Sequence, residues 1–448
     1  MSKMKPIILC WWTLILAPTV LFAQKYNIYS TKLPNGLEVI AIENPVVPLV
    51  TIELDVRNGS YTEPPEYNGL SHLYEHMFFK ANASIPNQEK YLERMQELGM
   101  EWNGTTSEER VNYFFTFSKD NLHEGFEFMK AAAVTPLFLQ PELERERAVV
   151  IGEYDRNEAQ PYYYLYRGVG EKLWYKYYSR KNPLGERDVV LSCDQKKMQT
   201  IKDRYYIPNN SALLLAGDVH HEEIFKLAEQ YFGEWKRGDD PFQLYPIPDH
   251  PPLVKTDTVI IEKPVNAITL LFAWQGPSMS KDTKSTYSAD VLSYILSQQD
   301  SQFQKRLVES GLFTFIGLSY YSLDHTGPIS VQAQTTADKY HEADNALFEE
   351  LGKLTQVDYY TEEQLANAKT QLEISEMYSH ERPSSFVHGV GFWWSVAHGL
   401  DYYLNYVDNL RKISRKDINE YVNKYIHNAS YIKGLLMSSE DRKKVFPQ

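Results

Sequence analysis

The same six-residue pattern occurs near the end of each half of the chain. The pattern Y-I-x-N-x-S stands at residues 206–211 and again at 425–430, and an apolar segment follows it both times. The two halves are similar in length and in the order of their helical and extended segments, which indicates a duplicated unit. We therefore expect an α+β fold of two homologous domains, each a mainly antiparallel sheet packed with helices.

The 448 residues are too many for one ordinary core. Residues 238–254 are rich in proline and lack hydrophobic periodicity, as in a semi-extended linker. We predict a first domain over residues 24–237, the linker over 238–254 and a second domain over 255–448. In the first domain, alternating segments at 37–42 and 49–56 predict two adjacent antiparallel strands.

Residues 1–23 have the layout of a secretory signal peptide. Lys3 and Lys5 form a short positive region, an apolar run over 6–22 follows, and Ala23 offers a cleavage site. We expect a periplasmic or secreted protein with no stable membrane span after cleavage. The alternative is an uncleaved anchor, since the run nearly reaches spanning length.

The formal net charge of −13 disfavours nucleic acid as a partner and would suit a basic peptide better. Of the two cysteines, Cys10 would leave with the signal peptide. The mature chain would then hold Cys193 alone and no internal disulfide.

An apolar segment with helical periodicity carries two histidines four residues apart, His72 and His76, with Glu75 just before the second. On a helix these side chains share one face. The order H-x-x-E-H is the inverse of H-E-x-x-H and is a zinc-peptidase signature. Two imidazoles could hold one metal ion with Glu75 near its water, but a catalytic zinc site needs a third protein ligand.

A later helical segment, which Pro141 opens, could supply that ligand. Glu146 and Glu153 are seven residues apart and so lie on one face of this helix. A carboxylate and two imidazoles leave an open position for water, whose proton Glu75 could take. Taken singly, the histidines could be an ordinary helical pair and the glutamates a solvated charged face.

Together with several flanking segments, these residues resemble the pitrilysin/insulinase family of inverted-motif zinc peptidases. Specifically, the chain resembles the two-domain members of this family, such as the β subunit of the mitochondrial processing peptidase. The matching positions are 33–37, 58–60 with Glu63, Gly69-Leu70 before the histidine motif, Glu146 and Glu153, Tyr206, Pro208 and Asn210, and 216–219.

The resemblance implies that His72, His76 and Glu153 hold one zinc ion per catalytic subunit and that Glu75 is the general base. Glu146 matches a glutamate that supports activity without holding the metal.

The resemblance also implies residues that bind substrate. Asn103 matches a strand segment beside the cleft, in which Gly104 replaces the usual alanine, and an edge strand there would pair with an extended peptide. Arg306 matches a substrate-holding arginine. Phe313 stands where a partner tyrosine is expected, and phenylalanine cannot donate a hydrogen bond.

The sequence therefore predicts a zinc metallo-endopeptidase that cleaves short or unfolded peptides by attack of a glutamate-activated, zinc-bound water. The missing tyrosine favours a dimeric chamber in which a related subunit without zinc supplies the arginine and tyrosine, and a homodimer is the alternative. The alternative function is a non-catalytic family subunit that serves assembly or peptide binding.

Overall fold

The computed structural model describes residues 27–447, so the predicted signal peptide lies outside the described residues. The strands are β1 Ile28–Lys32, β2 Glu38–Glu43, β3 Leu49–Val56, β4 Glu101–Thr106, β5 Val111–Ser118, β6 Ser211–Gly217, β7 Asp257–Glu262, β8 Ile268–Gln275, β9 Phe315–Tyr320, β10 Pro328–Thr335 and β11 Tyr431–Met437.

The helices are α1 Leu70–Phe78, α2 Gln88–Glu97, α3 Leu122–Val134, α4 Gln140–Glu158, α5 Pro161–Leu173, α6 Arg187–Leu191, α7 Gln195–Tyr205, α8 His221–Phe232, α9 Pro241–Leu244, α10 Thr283–Ser297, α11 Gln302–Gln304, α12 Tyr340–Lys353, α13 Glu362–Ser379, α14 Pro383–Val396, α15 Asp401–Leu404, α16 Tyr406–Lys412, α17 Arg415–Val422 and α18 Ser439–Val445. Within residues 27–447, none of them combines the length and the apolar character that crossing a bilayer requires.

The strands form two sheets with the same internal order. The first sheet runs β1-β2-β6-β3-β5-β4 and the second runs β7-β11-β8-β10-β9, which is the first order without a counterpart of β1. Each sheet has one parallel pair, β2 with β6 and β7 with β11, and its other pairs are antiparallel. The repeated pattern leads into β6 and β11, which are therefore equivalent strands. The expected pair of mainly antiparallel sheets packed with helices is confirmed.

The expectation that the strands at 37–42 and 49–56 are adjacent is wrong. Strand β6 lies between β2 and β3, parallel to the first and antiparallel to the second. Every residue of β6 is buried, as expected of a central strand covered on both faces. The short connection between β2 and β3 resembles a hairpin loop, but a buried apolar strand from much later in the chain fills the place between them.

One helix from each half packs against the sheet of the other half. Helix α14, from the second half, packs against the first sheet, where Phe386 and Val390 meet Ile40 and Leu214. Helix α5, from the first half, packs against the second sheet in the same way, and its core contacts include Leu165. Both sheets are apolar on two faces, and the exchanged helices cover the face that each half's own helices leave open.

A buried polar cluster lies under α14. Glu53 and Asp55 of β3 are fully buried, and Arg110 forms ion pairs with both. His388 of α14 contacts Glu53, and a Cβ on Gly391 would collide with the Asp55 carboxylate. The carboxylates of one half are therefore in direct contact with the helix of the other half, and His388 adds a partner for Glu53 across the interface.

Candidate active site

Helix α1 is fixed at its first turn by a buried carboxylate. Glu63, which is 3% exposed, accepts hydrogen bonds from the backbone N–H groups of Gly69 (2.7 Å) and Ser71 (2.6 Å). These two donors at the helix N-terminus would otherwise have no partner. Burial raises the pKa of Glu63 to about 7, and the hydrogen bonds from Gly69 and Ser71 offset part of the rise. Gly69 has φ 94° and lies against the carbonyl of Leu184, so that only glycine fits.

Three predicted ligands converge between α1 and α4. Nε2 of His72 lies 3.4 Å from Oε2 of Glu153, and Nε2 of His76 lies 3.8 Å from the same oxygen. One ligand atom from each of the three residues lies within 4.8 Å of the others. Leu143 and Val150 of α4 are buried in the hydrophobic core of the first half. Their burial sets the rotation of α4 about its axis, so that Glu153 faces α1.

The donor set fits a zinc ion. Two imidazole nitrogens and one carboxylate oxygen are the ligands found in catalytic zinc sites that leave a position for water. Burial, together with the neighbouring His76, lowers the pKa of His72 to about 4. His72 is therefore neutral at physiological pH, which is the form that binds metals.

Glu146 orients His76 and does not join the three ligands. Its Oε2 lies 3.3 Å from Nδ1 of His76, and its Oε1 lies 2.8 Å from Nζ of Lys80. Burial acts to raise the pKa of Glu146, but the hydrogen bonds with His76 and Lys80 outweigh it and lower the pKa. A carboxylate that accepts a hydrogen bond from Nδ1–H leaves Nε2 free for a metal. Sequence reasoning missed Lys80, although its i+4 spacing from His76 could have indicated it.

Glu75 lies against the edge strand β4. Its Oε2 accepts a 2.6 Å hydrogen bond from Oγ1 of Thr106. Burial raises the pKa of Glu75, and the hydrogen bond with Thr106 and the charge of His76 offset part of the rise. A carboxylate with a raised pKa beside a metal site is suited to taking a proton from water. Thr106 was also missed, although it lies three residues after Asn103 in the matched segment.

The predicted substrate-binding residues are not on the helices that carry this cluster. Asn103 is exposed on β4, which pairs only with β5 among the described strands and so leaves an open edge. Arg306 is exposed in the second half, in the π-helical turn Lys305–Glu309.

Phe313 does not stand at a peptide-facing surface. Its side chain is 1% exposed and packs in the hydrophobic core of the second half. The π-helical turn holds one residue more than an α-helical turn, which rotates the side chains that follow Arg306. The seven-residue spacing from Arg306 therefore leads into the core, and the exposed Thr314 comes next.

A second group with metal-ligand chemistry lies at the start of α8. Glu43 accepts hydrogen bonds from the backbone N–H (2.9 Å) and Nδ1 (2.8 Å) of His221, whose Nε2 lies 3.3 Å from Glu222. Tyr29 stacks on the imidazole at 3.8 Å. Both ring nitrogens already have carboxylate partners, so this arrangement anchors the helix N-terminus to β2.

Two family models match the chain. The model described as insulinase (peptidase family M16) matches residues 38–184, and the model described as peptidase M16 inactive domain matches residues 192–372. The first span contains the whole cluster of histidines and glutamates.

Known relatives and solved structures agree with these matches. A Rickettsia felis protein described as an uncharacterized zinc protease is 25% identical over 361 residues, which are 80% of this chain and 85% of that protein. The β subunit of the Caenorhabditis elegans mitochondrial-processing peptidase is 28% identical over 232 residues, 51% of this chain and 49% of that subunit. A solved protease from Helicobacter pylori has the same fold, with a TM-score of 0.80 at 22% identity over 92% of this chain and 99% of that one. This chain belongs to the pitrilysin/insulinase family of metallopeptidases, peptidase family M16.

Proposed function

We propose that this chain is a zinc-dependent metallo-endopeptidase whose catalytic centre lies in its first half. The observation that carries the proposal is the convergence of His72, His76 and Glu153 within 4.8 Å, with Glu75 on the same helix as the histidines. A non-catalytic subunit that serves assembly or peptide binding would not require this set of residues, whereas hydrolysis requires all four.

The residues of the site divide the work of peptide hydrolysis. His72, His76 and Glu153 hold the zinc ion, and Glu146 fixes the ring of His76. Bound zinc supplies a Lewis acid that polarises a carbonyl and acidifies water. Glu75 takes a proton from the attacking water and passes it to the amine nitrogen as the C–N bond of the peptide breaks, which restores its carboxylate.

The open edge of β4 supports short or unfolded peptides as substrates. An extended peptide can add to this edge by main-chain hydrogen bonds, beside Glu75 and next to the exposed Asn103. Pairing of this kind gives affinity with a loose sequence preference. If the chamber is a homodimer, Arg306 would hold the substrate from the second half of the chain.

We propose that the chain works in a dimeric chamber with a related subunit that lacks zinc and supplies an arginine and a tyrosine. The burial of Phe313 supports this arrangement, because this chain presents no tyrosine at that spacing from Arg306. Co-purification of the tagged chain followed by peptide cleavage tests it. A purified chain that cleaves as fast as any mixture with a co-purified subunit would favour the homodimer instead.

A periplasmic or secreted location is proposed from residues 1–23. N-terminal sequencing of the mature protein tests it, with Gln24 as the expected first residue. An intact N-terminus in the membrane fraction would show an uncleaved anchor.

The catalytic proposal is tested with Glu75→Gln, which removes the base and keeps the size of the side chain. We expect one zinc ion per chain by elemental analysis and loss of cleavage of an internally quenched peptide by about three orders of magnitude or more. Turnover close to that of the unmodified chain would contradict the role of Glu75. Absence of zinc from the unmodified chain would contradict the whole proposal.

A further inference from the structure

Strand β4 touches the Glu75 side chain at two positions on the same face. Thr106 donates its 2.6 Å hydrogen bond to Oε2. Two residues earlier, a Cβ placed on Gly104 would lie 2.8 Å from Cγ of Glu75 and 3.3 Å from its Cδ. Residues two apart in a strand project to one side, so the two contacts act on Glu75 together.

The backbone does not require glycine at position 104. Gly104 is not among the glycines with positive φ and lies inside a regular strand paired with β5, where glycine is unfavourable. What glycine provides here is space, because a 2.8 Å contact is closer than carbon atoms approach. The carbonyl of Asn112 would lie 3.3 Å from the same Cβ, so the strand has little room to move away.

We infer that Gly104 and Thr106 are positioning residues that seat the Glu75 carboxylate: Gly104 provides room for the side chain against β4, and Thr106 holds one of its oxygens. This inference rests on the proposed function, in which Glu75 is the base. Because the hydroxyl engages Oε2, it fixes the rotation of the carboxylate and so directs the other oxygen. The resemblance places alanine at position 104, so in this chain the base sits closer to the strand than an alanine would allow.

The first test removes the hydroxyl. In Thr106→Val, the purified zinc-loaded chain, with any co-purifying subunit present, should lose about tenfold to a hundredfold in kcat and keep KM within about twofold. Thr106→Ser restores the hydroxyl and should recover most of kcat. Zinc content and melting temperature should stay those of the unmodified chain in both variants, since Thr106 is not a zinc ligand. A kcat within about twofold of the unmodified chain in Thr106→Val would overturn the inference.

The second test fills the space. Gly104→Ala should lower kcat by about tenfold without loss of zinc, and its crystal structure should show the Glu75 carboxylate displaced from its seat. The matched control is Gly352→Ala on α12, where an added Cβ meets nothing within 4 Å and activity should not change. If Glu75 is not displaced in Gly104→Ala, the inference that Gly104 provides room for its side chain is wrong.

The two proposals fail in different ways. A zinc-loaded chain without any peptidase activity would refute the proposed function, and the position of Glu75 in the Gly104→Ala structure would still decide whether Gly104 provides the seat.

Discussion

Nζ of Lys80 lies 2.8 Å from Oε1 of Glu146, and both side chains are close to nine-tenths buried. The other oxygen of Glu146 faces Nδ1 of His76. The lysine therefore acts on a predicted metal ligand through one intervening carboxylate, and the three residues form a chain of charge-assisted contacts.

Replacement of Lys80 should weaken zinc binding without removing a ligand. In Lys80→Met the Glu146 carboxylate loses its cation and holds His76 less firmly, so the zinc dissociation constant should rise by about tenfold to a hundredfold. Competition with a chromophoric chelator measures it. Lys80→Arg keeps the charge and should stay near the unmodified value, and equal affinity in Lys80→Met would show that Glu146 needs no cation.

Removal of the predicted ligand His76 should lower the zinc content more than replacement of Lys80 does. His76→Ala leaves only two protein ligands, which is too few for a stable zinc site, so the purified variant should contain almost no zinc. Elemental analysis measures this directly. His123→Ala, at an exposed histidine that contacts Tyr231, is the matched control and should keep its zinc. Full zinc occupancy in His76→Ala would remove His76 from the ligand set.

The exchanged helix α14 should contribute measurably to stability. Leu214 is fully buried on β6 where α14 packs, so Leu214→Ala should lower the free energy of unfolding by about 2–5 kcal/mol. Urea denaturation reports the change in midpoint. Leu244→Ala, at a leucine that is 57% exposed, should change stability by less than about 0.5 kcal/mol. Equal effects of the two variants would show that the interface adds nothing.

The stability of the chain should contain a pH-dependent contribution from Asp290. Burial raises its pKa from 3.8 to about 7, although Tyr406 donates a 2.8 Å hydrogen bond to it. Between these two values the folded chain keeps a proton that the unfolded chain has lost, so this contribution falls as the pH rises towards 7. Asp290→Asn should therefore be more stable, relative to the unmodified chain, at pH 8 than at pH 5. Thermal unfolding at the two pH values checks this, and a stability difference that does not change with pH would contradict it.

The parts of the site that lie within one helix could be predicted from the sequence. His72 and His76 are four residues apart, and Glu146 and Glu153 are seven apart, so helical geometry alone groups each pair on one face. Periodicity could not choose between the two glutamates, and the resemblance made that choice. The contacts of Lys80 with Glu146 and of Thr106 with Glu75 join separate segments of the chain. Spacing can place Lys80 beside His76 and Thr106 in the matched segment, but it does not identify their partners.

For the fold, too, the sequence predicted local features and not the pairings between distant segments. Repetition and alternation predicted two similar sheets, because both are properties of consecutive residues. The place of β6 between β2 and β3 depends on a pairing across more than 150 residues, which alternation does not specify. In the same way, an amphipathic pattern shows which face of α5 or α14 is buried but not which sheet covers it.

The exchange of α5 and α14 has a consequence for how the two halves relate. Equivalent helices in two copies of one unit cross over to cover the partner copy's sheet. This is the arrangement of a domain-swapped homodimer within one chain, with the junction of the two copies between β6 and β7. Each copy needs the helix of the other copy to cover one face of its sheet. A fragment cut at that junction would therefore expose an apolar sheet face and aggregate.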